Sequence, residues 1–122
     1  MKSRGIAITI ARVCGLLALA AGSARAFGLV AIPLPLHMSL GSLLAVSLLF
    51  LAWKAQKAGE PLLLVIVAAA WAIALPVWGS VQTHVTLPAP WLSGAIHVVC
   101  GLGAIGLAEM LGMRLTKKAK AG

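Results

Sequence analysis

Four long apolar stretches fill most of a chain of only 122 residues, and they leave little choice of fold. They lie at about residues 6–23 (or 13–31), 35–53, 62–78 and 91–113. At ~1.5 Å of rise per residue, helices of such length cross most or all of a ~30 Å hydrocarbon core. Hydrocarbon offers the backbone no partner, so each stretch must close its own hydrogen bonds, and a helix does so. The chain is 61% hydrophobic and carries two acids, Glu60 and Glu109, which is too apolar for a soluble fold of this size. The expectation is one all-α domain over residues 1–122: a polytopic membrane protein, built as a four-transmembrane-helix bundle.

The net charge of +8 raises a nucleic-acid reading, but its placement argues against one. Lys2 and Arg4 precede the first span, Lys54 and Lys57 lie between the second and third, and Arg114, Lys117, Lys118 and Lys120 follow the fourth. The two connections on the other side hold one base between them, Arg25. Bases on alternate sides place both termini in the cytoplasm of a bacterial-type inner (plasma) membrane under the positive-inside rule. There is no basic aromatic surface for a phosphate backbone, so the partner is the lipid bilayer and not nucleic acid. Cys14 and Cys100 both fall inside spans, where cysteine serves as a small buried apolar residue.

The N-terminus supports two readings. Met1-Lys-Ser-Arg, the apolar run Val13–Gly22 and Ala24-Arg25-Ala26 together match a secretory signal with an A-x-A cleavage site, while the same residues serve as a retained first helix. Arg12 interrupts the apolar run and weakens both. Later punctuation is plainer. Pro33 and Pro35 open the second helix, and Ala58-Gly59-Glu60-Pro61 forms a turn with Gly at one helix end and Pro at the next start. Glu60 there is explained by the helix dipole. Trp53, Trp78 and Trp91 fall at span ends, where indoles favour the interface, and Trp71 lies mid-span as a packing residue.

Two histidines carry the chemistry. His37 and His97 each sit in an apolar span, each with a glycine four residues on, Gly41 and Gly101. Seventeen residues after each comes a base, Lys54 or Arg114, and three further on Lys57 or Lys117. The 60-residue offset is the spacing of a duplicated helix hairpin, 1–60 and 61–122, although the first and third helices match poorly at that offset. Parallel repeats about an axis along the membrane normal would set both imidazoles at equal depth on opposite sides of the bundle centre. Seventeen helical residues span about 25 Å, so both lie far from the lysine-rich side.

Two imidazoles on facing helices are the axial ligands of a b-type haem, so haem b is the expected cofactor and His37 and His97 the metal ligands. Gly41 and Gly101 stand one turn away on the same face, where the absence of a Cβ admits a ring edge. Arg25 is the one strong cation on that side for the propionates. In pattern the chain resembles the small four-helix b-type cytochrome membrane subunits and anchors. The resemblance rests on His37, Gly41, His97 and Gly101 within four spans. It implies bis-histidine haem b and electron exchange with a quinone or a partner redox protein, in a homo- or hetero-oligomer.

Other readings stay open. Small residues at i, i+4 also pack membrane helices with no ligand, which would make this a non-redox interaction or transport protein whose histidines only pack or hydrogen-bond. Copper held by His37, Met38, His84 and His97 is a further alternative, against which Met38 points about 100° from His37 on a helix. Glu109 is a candidate transport carboxylate, better explained by snorkelling to the inner surface about one turn away or by an interaction with inner-side bases. No nucleophile–base pair, paired carboxylates or phosphate loop is present, so electron transfer or haem handling is expected in preference to enzymatic turnover.

Overall fold

The computed structural model describes residues 2–29, 31–82 and 84–122. The chain forms four α-helices: α1 (Lys2–Ala26), α2 (Leu34–Lys57), α3 (Leu62–Val81) and α4 (Pro90–Ala121). Each is long and apolar enough to cross a membrane. The helices outrun the apolar stretches at most ends. The second continues past residue 53 to Lys57 and the fourth past residue 113 to Ala121, because Lys and Ala favour helix whether or not they lie in hydrocarbon. The first begins at Lys2 and stops at Ala26, short of the 13–31 register, so Arg12 and Arg25 both lie within it.

Glycines set the ends of α1 and α2. Gly28 and Gly59 adopt positive φ, 64° and 71°, which a Cβ would oppose. At the first, Leu29 N–H donates to Ala24 O and Gly28 N–H to Arg25 O; at the second, Glu60 N–H donates to Ala55 O and Gly59 N–H to Gln56 O. This is the Schellman pattern, which satisfies carbonyls a helix end would otherwise leave open. Pro33 and Pro61 then supply the extended N-cap residues of α2 and α3.

α2 and α4 form the centre of the bundle. They pack on each other, and each also packs on α1 and on α3; among the described residues α1 and α3 do not touch. Exchanging α1 with α3 and α2 with α4 reproduces the same set of contacts. The buried residues of the central helices obey the same exchange: Leu44 and Ala104, Leu48 and Ala108, Leu51 and Leu111, and Ala55 and Leu115 are all buried, 60 residues apart. α1 and α3 match at 57, where Ala11 pairs with Ala68 and Ala18 with Leu75, all buried.

The core is built of small residues, so backbones approach closely where hydrophobic collapse is not the driving force. Leu48, Leu51 and Leu111 are the largest fully buried side chains, set among Ala11, Ala52, Ala68, Ala72, Ala104 and Ala108. Large apolar residues point outward instead, Leu16, Val46, Leu63, Ile66 and Ile73 among them. The surface measures 7488 Å², where a soluble chain of this mass would expose about 6,200 Å². Water would not stabilise a fold that turns its aliphatic side chains outward in this way.

Candidate functional site

His37 occupies the first turn of α2 and His97 the second turn of α4. Helical side chains slant towards the helix N-terminus, so both rings reach away from the lysine-rich end. They meet across the α2–α4 contact with ring centroids 5.8 Å apart and planes tilted by 53°. Both residues are half-buried, and the Nδ1 atom of each is buried with no hydrogen-bond partner. Buried polar atoms are paired in the great majority of cases, and leaving one unpaired costs about 1–3 kcal/mol. Here the same atom is left unpaired twice, at equivalent positions.

A glycine seats each ring. A Cβ on Gly22 of α1 would lie 3.0 Å from His37 Cε1, and one on Gly79 of α3 would lie 3.3 Å from His97 Cε1. Each imidazole therefore leans on the neighbouring helix of its own hairpin while facing its counterpart. The α3–α4 seat is tied by Trp78 Nε1 donating to Ser93 O at 3.4 Å and Ser93 Oγ bonding Gln82 Oε1 at 3.4 Å. Gly41 and Gly101 have another role, since an added Cβ at either would meet nothing within 4 Å. Neither seats a ring as Gly22 and Gly79 do.

The remaining candidates lie apart. Arg25, in the last turn of α1, donates from Nη1 to Ile32 O at 3.1 Å and so braces the α1–α2 connection. Met38 is 53% exposed, directed away as its helical position requires. Among the described residues no three His, Cys, Asp or Glu side chains come together to hold a metal ion, so His84 does not join the pair. Cys14 and Cys100 are free thiols. Trp71 packs as expected, its indole lying over Gly103 and donating to Cys100 O at 2.8 Å.

The two acids are fully engaged. Glu109 accepts from Arg12 Nη2 at 2.7 Å and from Arg12 Nε, a bidentate pair joining α4 to α1. Glu60 sits before the cap of α3 with a side chain only 3% exposed, paired with Arg114 at 3.1 Å and Lys118 at 3.2 Å. The dipole account of Glu60 is thus replaced by a clamp binding the α2–α3 turn to the end of α4. Burial acts most strongly on this carboxyl and alone would raise its pKa. Hydrogen bonds from Lys118 and Arg114, with their charges, outweigh it and hold the group below its ordinary value.

Comparison with known protein families, with curated proteins and with solved structures finds no match for this chain. The site stands on its own geometry. Two imidazoles face each other at this separation in apolar surroundings, each with its Cε1–Nδ1 edge towards the glycine that seats it. Sequence reasoning missed Gly22 and Gly79, because they lie 57 residues apart and the histidines 60. Aligning the two hairpins separately, helix by helix, would have found them.

Proposed function

We propose that the chain is a four-span protein of a bacterial-type inner membrane, with α1 retained, that holds one haem b between His37 and His97. Its role is electron transfer or haem handling. The observation that carries the reading is the pair of buried, unpartnered Nδ1 atoms on rings 5.8 Å apart. A histidine kept only for packing or for an interhelical bond would have its nitrogens satisfied, as buried polar groups ordinarily are. With a haem iron held there, each ring would supply one nitrogen, and centroids 5.8 Å apart are compatible with that. An added Cβ at Gly41 or Gly101 would meet nothing within 4 Å, so nothing described there obstructs a flat ring edge.

In this reading His37 and His97 bind the iron, Gly22 and Gly79 fix the orientation of the imidazoles, and the surrounding apolar helices keep bulk water out. Bound there, the haem supplies one-electron chemistry at a potential tuned by its ligands and burial. The matched burial of α2 with α4 supports a duplicated hairpin as the origin of the paired site. The distribution of bases supports both termini on the cytoplasmic side and the histidines near the opposite face. A quinone or a partner redox protein is the fitting electron partner for a centre at that depth.

The test is the absorption spectrum of the purified full chain, with haem quantified per chain. One haem, with a Soret band that shifts on reduction, is the expected result. A colourless wild-type protein from haem-sufficient cells would overturn the proposal and leave the histidines as packing residues.

A further inference from the structure

We infer that the lysine-rich end of the bundle carries a second binding site, a groove between α1, α2 and α4 that takes the phosphodiester headgroup of an anionic phospholipid. The groove has a volume of about 460 Å³ and is lined by Arg4, Lys54, Lys57 and Lys118, with Ser3 beside them. No acid lines it. Three helices therefore bring four cations to one recess, of which Arg4, Lys54 and Lys57 have no acid paired with them among the described residues, and like charges gathered in this way repel one another.

The nearest acid supplies a counter-ion to Lys118 alone among these four. Glu60 is already committed to Arg114 and Lys118. Lys118 also donates to Ala58 O at 2.7 Å, and Arg4 donates to Leu115 O at 2.8 Å, so both are held in place. Lys54 lies 5.0 Å from the centre of the Trp53 ring and Lys57 lies 5.1 Å from it, two cations steadied on one indole. Preset cations and a hydroxyl are the donor set that recognises phosphate oxygens.

A neighbouring groove serves as the contrast. It lies between α1 and α4, has about 350 Å³, and is lined by Arg12, Lys117, Lys120 and Glu109, so it holds its own anion. Of the two recesses at this end of the bundle, one has a carboxylate in its own lining and the other has none. The one without it is the site left for an external anion. A lipid is the source because the groove opens at the ends of three apolar helices, where headgroups meet a bilayer. This assignment rests on the membrane reading but not on the haem.

The experiment counts lipid retained by the full chain, purified in detergent with equal phosphatidylglycerol and phosphatidylcholine, by native mass spectrometry. Wild type should hold one phosphatidylglycerol in preference to phosphatidylcholine by at least about tenfold. Lys54→Gln with Lys57→Gln should lose that preference, Lys54→Arg with Lys57→Arg should keep it, and Lys117→Gln with Lys120→Gln should keep it despite removing equal charge. Equal retention of both lipids by wild type, or equal loss in the two Gln variants, would overturn the site. Displacement of the lipid by soluble glycerol phosphate would overturn its assignment to lipid. Retention in phosphatidylcholine vesicles after an alkaline wash checks the membrane reading separately. A chain that washes out fails there, and one that stays but shows no lipid preference fails only here.

Discussion

At the lysine-rich end of the bundle, Glu60 is shut away from solvent, yet each of its oxygens meets a cation. At the other end His37 and His97 are half-buried, and each keeps a buried Nδ1 with no hydrogen-bond partner among the described residues. Both are polar groups in apolar surroundings, and the fold treats them in opposite ways. A carboxylate that must be neutralised for the helices to pack draws its partners from within the chain. Imidazoles left unsatisfied at a cost of about 1–3 kcal/mol each are what the proposed site would show if its partner came from outside. The contrast sorts the polar residues of this chain into those that hold the fold and those available for chemistry.

The sharpest way to break that distinction is His97→Ala, or His37→Ala. Either should cut pigment per folded chain by at least about tenfold, since a single axial ligand holds the group poorly. Helix content measured by circular dichroism should stay unchanged, because neither ring makes a hydrogen bond within the fold. If pigment survives, the unpaired nitrogens are not ligands and the two ends are not functionally distinct.

Glu60→Gln should do the reverse, lowering the thermal midpoint by several degrees while sparing pigment. Its pH dependence follows from the sign of the shift. The folded pKa is depressed, so the clamp contributes fully above the ordinary glutamate value of about 4.3 and is lost as pH falls through the lower folded value. Melting curves recorded from neutral pH into acid should show wild type losing stability in that range and converging on Glu60→Gln. Parallel curves would show that the clamp adds nothing to the fold.

Gly79→Ala sharpens the comparison at the histidine end. The new Cβ sits 3.3 Å from His97 Cε1, so the ring must give by a few tenths of an ångström. Pigment should fall about two- to threefold, with a shifted potential as the second readout, since ligand orientation tunes it. Gly5→Ala, whose Cβ would meet nothing within 4 Å, is the control and should change neither.

Arg25→Gln should have the smallest effect. It removes one exposed hydrogen bond to Ile32 O, worth about 0.5 kcal/mol, and its proposed help to the propionates should show as less than a threefold loss of pigment. A loss as large as that of His97→Ala would make Arg25 part of the site itself.

How much of this was legible in the sequence depended on distance along the chain. The four helices could be read because apolar length is a local property. The pairing of His37 with His97 could be read because their frames repeat, base for base, at one offset. Gly22 and Gly79 could not, since their connections to the histidines differ by three residues and break that offset. Glu60 gave no hint of Arg114 and Lys118, which lie 54 and 58 positions away and come near only when α4 docks. Its place beside Pro61 invited a local explanation, and the long-range one prevails. Glu109 was open to pairing with a base, but the sequence did not single out Arg12, 97 positions away, as that base.

The clamp also fixes an order of events. Glu60 emerges during synthesis 54 residues before Arg114 and 58 before Lys118. The first three helices can therefore gather early, but they wait with an unneutralised carboxylate at their turn until the end of α4 is free to arrive. That arrival seats α4 along its length, and α4 is the helix that brings the second imidazole. The latch at one end and the completed pair at the other are thus products of the same late step. A nascent chain stalled before Arg114 would display His97 already made but not yet held in register.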